Sequence, residues 1–477
     1  VNNAKTLTTP YLLGITLVAT LGGLLFGYDT AVISGAIGPL ATRFGLGPAG
    51  TGWAAACALI GCILGVAIAG ETADRLGRKR ALILAAVLFF VSAAGTALPR
   101  DLNQFIVFRI LGGVGVGIAS MTSPMYIAEV SPARIRGRMV SINQLAIVSG
   151  MLIVYFVNYF IALQGDDAWN VQIGWRWMFG SEALPALALL VLMCLVPETP
   201  RWLCKQGRQD SARRVLERVG GPAHAETELA EIDTALRQES GSLRQLFQPG
   251  MRFVLAIGVA LAVLQQVTGI NVFLYYAPEI FKKLGTGTNA ALLQTVVVGA
   301  VNMLFTWVAI RSVDKLGRKP LMLIGAAGMG ICLLGLGFAS YAQRVEAWAL
   351  IFVLGYIACF ALSLGPVVWV VLSEIFPTSI RGRAMSIATF CLWTANFFVS
   401  QTFPMMNENE FLLTRFHGAF PFWVYGALCG VTVLFVWRFV PETKGKTLEE
   451  IEWMWKGRPA LPVEPLKTDT EASSDSR

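Results

Sequence analysis

Residues able to do chemistry are few in this chain of 477 residues, and the most isolated of them is Asp29. It lies in Gly22 to Gly35, GGLLFGYDTAVISG, and no Lys, Arg, Glu or His accompanies it between Leu12 and Ile37. A run of that length predicts a membrane-crossing helix, which needs about 20 apolar residues. An aspartate at mid-membrane costs roughly 2.5–3.5 kcal/mol on insertion, which points to a task that needs a switchable charge. The bland alternative is a carboxylate near the helix end reaching interfacial water. Arg109, in Phe108-Arg-Ile-Leu-Gly-Gly, is a second ionisable group inside an apolar run. Desolvation drives a buried carboxylate toward its neutral form and a nearby guanidinium drives it toward the charged form. Arg109 is therefore the expected partner of Asp29, and helix movement that separates them would change the proton occupancy of Asp29.

Other chemistries have little to work with. The eight cysteines lie mostly inside apolar runs without CxxC spacing, which predicts small core residues rather than disulfides or a metal site. The two histidines, His224 and His417, fall in polar connecting segments, so a proton relay within the membrane must use carboxylates. No nucleophile and base pair, metal cluster or phosphate loop is visible. The expectation is a protein that is not an enzyme and holds no cofactor or metal.

These groups must be positioned by membrane helices. The chain is 55% hydrophobic and 14% charged, with a mean hydropathy of +0.60, outside the range of water-soluble globular domains. Apolar segments fall at about 11–32, 51–71, 81–98, 103–125, 140–162 and 175–196, then at about 253–278, 290–311, 320–341, 347–372, 385–404 and 419–440. That is twelve spans in two groups of six. The first reads as a retained helix, not a cleaved signal. The net charge of +8 sits in clusters between spans, which argues against nucleic acid and for the positive-inside rule. With both termini on the cytoplasmic side, only Arg43, Arg100, Arg176, Lys282, Lys283, Arg344 and Arg415 fall on the other side, and Arg109 within a span, out of 38 basic residues. A multi-pass protein of the inner membrane follows, embedded in lipid and working as a monomer.

The two groups also repeat each other. Asp74-Arg-Leu-Gly-Arg-Lys returns as Asp314-Lys-Leu-Gly-Arg-Lys, Glu129-Val-Ser-Pro-Ala-Arg-Ile-Arg-Gly-Arg as Glu374-Ile-Phe-Pro-Thr-Ser-Ile-Arg-Gly-Arg, and Pro197-Glu-Thr-Pro as Pro441-Glu-Thr-Lys. The predicted fold is all-α, with two pseudo-symmetric six-helix bundles over 11–197 and 251–440. Short helices such as 210–219 and 226–238 are expected in the polar linker 198–250. A C-terminal segment, 441–477, is expected to be disordered after about 457. Parallel repeats of this kind rock about a midplane site.

With these cassettes on the page, the chain resembles the sugar porter family of the major facilitator superfamily, in particular bacterial D-xylose/proton symporters. The likeness covers residues 11–456. It is carried by GGLLFGYDTAVISG, the two LGRK cassettes, Pro197-Glu-Thr-Pro-Arg-Trp, Gln265-Gln-Val-Thr-Gly-Ile-Asn, Gly365-Pro-Val-Val-Trp and Pro441-Glu-Thr-Lys-Gly. The resemblance implies proton-coupled transport of a monosaccharide, D-xylose or a hexose such as D-glucose. A facilitative sugar uniporter and a sugar-sensing receptor on the same fold remain as alternatives.

A sugar offers many hydroxyls and no charge, which suits amides that donate and accept, as in Gln265, Gln266 and Asn271 around a helix-breaking Gly269. By resemblance, Gln144, Asn302, Trp369 and Trp393 complete the pocket, indole faces suiting the C–H face of a pyranose. Phe360 is either packing or pocket wall, and Gly365 with Pro366 should bend the tenth span. Met151 and Leu392 stand where the xylose symporters have pocket glutamines, which leaves the sugar open. Glu182 resembles a position on the family's proton path, with structural bonding as its alternative. The resemblance further implies a cytoplasmic gate of charges: Asp74, Arg75, Arg78, Glu129, Arg136, Arg138 and Glu198 in one half, Asp314, Arg318, Glu374, Arg381 and Arg383 in the other. A solvated positive-inside cluster is the alternative for these.

Overall fold

The computed structural model describes residues 10–238, 251–343, 347–376, 380–445 and 450. The C-terminal segment after about 457 and residues 239–250 of the linker lie outside them. Among the described residues eleven helices are long and apolar enough to cross a membrane. A further helix, Arg381–Asn407, has the length but carries Thr389, Thr394, Asn396, Ser400 and Gln401 along its course, and it stands eleventh in a set of twelve. Two bundles of six result, joined by the short helices Pro200–Lys205, Gln209–Gly220 and Pro222–Gln238.

Several helices depart from their apolar segments. The first span runs Pro10–Phe44, well past the expected end near residue 32, because only Pro39 interrupts an otherwise compatible run until Gly45 turns left-handed at φ 61°. At 1.5 Å per residue its 35 residues reach about 50 Å, more than the ~30 Å hydrocarbon core. The sixth span begins at Asp167 rather than near 175. Asp166 caps it by accepting from the Trp169 N–H at 2.8 Å, and one π turn at Asn170–Gly174 follows. Helix then resumes over Trp175–Gly180 and Ala183–Leu195, so that Glu182 sits at a joint.

The seventh span breaks where Gly269 takes φ 91°, as its sequence predicts. The tenth breaks at Ser363, between Ala347–Leu362 and Leu364–Ile375. The cause is Pro366, which lacks an N–H and whose ring crowds the carbonyl four residues back, that of Leu362.

Glycine notches set the spacing within the first bundle. A Cβ at Gly27 would overlap the Ile147 carbonyl, and one at Gly150 the Leu24 carbonyl, so the first and fifth spans touch backbone to backbone. Gly61 and Gly65 on the second span meet Gly113 and Gly117 on the fourth in the same way. Small residues at this spacing let membrane helices approach closely and gain dispersion contacts.

The helix ends on the basic face are stapled by a duplicated charge cluster. In the first half Arg78 bonds Glu129 through Nε at 3.1 Å and Nη2 at 2.9 Å, and Asp74 through Nη1 at 3.0 Å. Glu129 also accepts from the Thr199 hydroxyl at 2.6 Å. Glu198 accepts the backbone N–H groups of Arg78 and Lys79, at 3.0 and 3.1 Å. In the second half Arg318 bonds Glu374 at 2.8 Å and Asp314 at 3.1 Å, the Thr443 hydroxyl donates to Glu374, and Glu442 accepts from the N–H of Arg318 and Lys319 at 3.1 and 3.0 Å. Both clusters join elements of one half only.

The halves meet at the opposite end. Tyr155 donates to the Leu274 carbonyl at 2.9 Å, Gln401 to the Ala49 carbonyl at 3.0 Å, and the Glu279 carboxylate lies against Gly38. Arg136, Arg138 and Arg383, at the basic ends of the fifth and eleventh spans, are exposed or nearly so. The two halves are thus in direct contact at the end away from the basic face.

Two outcomes follow. Gly61→Val forces side-chain atoms into the Ile110 backbone and should cost about 1–3 kcal/mol or more, lowering the thermal unfolding midpoint in detergent. Gly70→Val on the same helix, where a Cβ meets nothing within 4 Å, should leave that midpoint unchanged.

The second outcome concerns the two clamp glutamates. Burial pushes Glu198 up, only partly offset by the N–H donors of Thr199, Lys79 and Arg78. For the less deeply buried Glu442, the N–H groups of Lys444, Arg318, Lys319 and Thr443 outweigh desolvation and hold the carboxyl down. A depressed carboxylate contributes stability above its unfolded pKa of about 4.3 that is lost as pH falls through its folded value; a raised one gains stability as pH falls through its folded value toward about 4.3. Glu442→Gln should therefore lower the midpoint at neutral pH, and Glu198→Gln should change it little or raise it. Equal losses in the two variants would refute this assignment.

Candidate functional site

Asp29 is brought to the axis of the first bundle by the first span, and the fourth span delivers Arg109 to it. The guanidinium Nη1 donates to Asp29 Oδ1 at 2.7 Å and to the Asp29 carbonyl at 3.3 Å, and Nη2 donates to the same carbonyl at 3.4 Å. Both residues are about 1% exposed. Gly112 of the fourth span lies beside the pair: a Cβ there would overlap the Ser92 hydroxyl of the third span and would only touch Asp29 Oδ1, at 3.4 Å. The ring of Phe179 sits 5.3 Å from the guanidinium carbon, covering it with an aromatic face.

Glu182 completes the group. It is equally buried, at the joint of the sixth span, within electrostatic reach of both Asp29 and Arg109. Next to it the Ser181 hydroxyl shares a 2.7 Å bond with the phenol of Tyr28, the chain neighbour of Asp29. Among the described residues Asp29 Oδ2, Glu182 Oε1 and Arg109 Nε have no hydrogen-bond partner while both acids are ionised, and the Asp29 and Glu182 side chains lie close enough for a protonated carboxyl to bond the other. A buried ion pair is held by its own geometry, and loss of one partner typically costs 3–5 kcal/mol because the other charge stays uncompensated. The two open carboxylate oxygens can accept a proton, and the Arg109 Nε–H is left as a donor for a new contact.

The amides predicted for sugar form a chain in space. Asn271 Nδ2 donates to Gln266 Oε1 at 2.6 Å, Gln266 Nε2 to Gln265 Oε1 at 3.1 Å, and Gln265 Nε2 to the carbonyls of Leu364 and Gly365 at 2.7 and 3.2 Å. The break at Gly269 folds Asn271 back over Gln266, and the break before Pro366 turns the two carbonyls toward the seventh span. Tyr356 ties the same breaks together by donating to the Thr268 carbonyl at 2.9 Å. Phe360 packs against Gly365, 3.1 Å from where a Cβ would stand.

Asn302 is buried, and its amide reaches only the thioether of Met151, at 3.9 Å. Trp393 is buried with its indole N–H unpartnered and its ring 5.6 Å from Phe26 of the other half. Leu392 is buried beside it, whereas Gln144 and Trp369 are half-exposed.

Of the charges predicted for the gate, Asp74, Arg78, Glu129 and Glu198 converge, as do Asp314, Arg318 and Glu374. Arg75 instead pairs with Glu71 at 2.6 Å on the surface. Arg136 and Arg381 donate to the carbonyls of Ala128 and Phe376, at 3.0 and 3.2 Å, and Arg138 is exposed. The sequence reading missed Thr199 and Thr443, whose hydroxyls lock Glu129 and Glu374. Their signal was present, since each follows Glu in the repeated Pro-Glu-Thr. It also missed Tyr28 and Ser181, which flank the two buried carboxylates.

Comparison with known proteins places this geometry. Residues 15–455 match the family described as Sugar (and other) transporter. The chain is 50% identical to the D-xylose-proton symporter of Escherichia coli (strain K12), across 94% of this chain and 96% of that one. It is 42% identical to the arabinose-proton symporter of Bacillus subtilis (strain 168), across 92% and 94%. Among solved structures, the partially occluded inward open conformation of the xylose transporter XylE from E. coli superposes with a TM-score of 0.83 at 48% identity, covering 92% of this chain and 100% of that one. The chain belongs to the sugar porter family of the major facilitator superfamily.

Proposed function

We propose that this protein is a proton-coupled monosaccharide symporter working by alternating access, with Asp29 as the coupling carboxylate and Arg109 as its counter-charge. The observation that carries the proposal is the 2.7 Å Asp29–Arg109 pair, buried in the first bundle beside a second carboxylate, Glu182. One guanidinium and two carboxylates in a low-dielectric site are neutral when they share one proton. In the outward-facing state that proton arrives on Asp29, loosens its hold on Arg109, and lets the spans close around sugar. After opening at the basic face the proton leaves and the pair reforms. This cycle matches the symport named for the relatives. A facilitative uniporter has no use for a titratable Asp29 at this depth.

The sugar would be held by the amides of Gln265, Gln266 and Asn271 together with Asn302, Gln144, Trp369 and Trp393. The first three bond one another and the Leu364 and Gly365 carbonyls, so binding would exchange these hydrogen bonds for ones to sugar hydroxyls. Met151 and Leu392 offer no such exchange. They leave room for a hydroxymethyl group, and a hexose fits this reading as well as xylose does. The charge clusters would act as the cytoplasmic gate, with the basic face and both termini inside a bacterial inner membrane. One proton moving through about 100 mV supplies roughly 2.3 kcal/mol, enough for roughly fifty-fold accumulation.

In proteoliposomes, Asp29→Asn should abolish sugar accumulation driven by a proton gradient while retaining counterflow exchange of labelled sugar; accumulation by the variant would remove Asp29 from the coupling role. Gln265→Ala should raise the half-saturating sugar concentration about tenfold, one hydrogen bond's worth, without altering proton stoichiometry. A panel of pentoses and hexoses in the same counterflow assay identifies the substrate.

A further inference from the structure

A cavity of about 770 Å³ lies outside the transport path, at the basic end of the first span, where the linker helix Gln209–Gly220 docks. That helix buries Ala212, Val215, Leu216 and Val219 and turns a different stripe to the cavity. Arg208, Ser211, Arg214 and Arg218 recur there at helical spacing. None of the three arginines forms an ion pair among the described residues: Arg214 donates to the Ser211 hydroxyl at 3.2 Å, and Arg218 lies 5.4 Å over the ring of Tyr11.

Two acids also line the cavity, Glu198 and Glu217. The Glu198 oxygens are taken by the backbone N–H groups of Arg78, Lys79 and Thr199. Three guanidinium groups against two carboxylates leave the cavity with a net positive charge and a hydroxyl donor, over an apolar floor of Leu203 and Val215.

Its position decides what it holds. Tyr11 is the second residue of the first membrane helix, at the level where tyrosines meet lipid headgroups. On the same helical face Gly14 is exposed with open space where a Cβ would be, and Leu17 beyond it is 51% exposed. Exposed apolar surface thus continues from the basic cavity along this end of the helix.

We infer that this cavity binds the phosphodiester headgroup of an anionic glycerophospholipid, with Arg208, Arg214 and Arg218 on the phosphate and the acyl chains along the Gly14–Leu17 face. Guanidinium groups bond phosphate oxygens in this way in many settings, and basic pockets beside membrane helices take acidic headgroups. The lipid ties the linker helix to the first span, whose centre carries Asp29. Its binding does not depend on which sugar is carried or on proton coupling.

The test uses the full-length protein in detergent. Dioleoyl phosphatidylglycerol, dioleoyl phosphatidylcholine and glycerol 1-phosphate are titrated in turn, with bound lipid counted by native mass spectrometry and the unfolding midpoint followed in parallel. The wild type should retain phosphatidylglycerol over phosphatidylcholine and gain stability from it. Arg214→Gln or Arg218→Gln should weaken retention about fivefold each, and the triple variant with Arg208→Gln on the order of a hundredfold; the Arg→Lys series should keep most of the preference. The three arginines are exposed, so the variants should elute as wild type does on size exclusion. Undiminished preference in the triple variant would overturn the assignment. So would stabilisation by glycerol 1-phosphate equal to that by the lipid, because the site would then serve a soluble phosphate.

Discussion

A carboxylate and a guanidinium 2.7 Å apart, each about 1% exposed, impose terms on everything around them. In the membrane interior neither charge has water, so the first and fourth spans must stay in register closely enough to keep the two together. The glycine notches provide that register. Gly22 lets the first span approach Ser123 of the fourth, 3.3 Å from where a Cβ would stand, while Gly61, Gly65, Gly113 and Gly117 brace the fourth span by backbone contact with the second. The same low dielectric makes the pair sensitive, since adding one proton changes the charge balance of a site with no solvent to absorb the difference.

The duplicated clusters on the basic face work under the opposite regime. The Arg78 and Arg318 side chains are mostly covered, but their partners Asp74 and Asp314 are 51% and 80% exposed, so those contacts are worth less than the buried pair. Multiplicity compensates for this. Each arginine bridges two carboxylates, each bridging glutamate takes a threonine hydroxyl, and a further glutamate gathers backbone N–H groups at the start of the third or ninth span. These staples tie together helix ends within each half. The difference between Glu198 and Glu442 shows that the two copies are not energetically identical: deeper burial of the first weakens its ionised form.

Broken helices join the site to the moving parts. Gly269 and Pro366 interrupt the seventh and tenth spans at one level, and the freed groups bond each other through Gln265. These amides stabilise the break itself. A bound hydroxyl compound would compete with the tenth span for the same donors, which links occupancy of the pocket to the shape of that helix.

Much of this was legible in the chain. Hydropathy located the spans, because burial of about 20 apolar residues leaves no other structure in a bilayer. The repeated cassettes exposed the two halves, and the isolation of Asp29 marked it before any partner was known. Helix ends were less legible: the first span outruns its apolar segment, and the sixth starts early on a cap and a π turn, since chain continuity and local capping, not hydropathy, stop a helix. Tertiary structure alone decided that Glu182 stands beside Asp29 and Arg109, that Asn302 faces the sulfur of Met151, and that Gln265 reaches the tenth span. Side-chain partners among packed helices depend on rotation and depth, which are set by where glycines let backbones touch, and a linear sequence does not encode those distances directly.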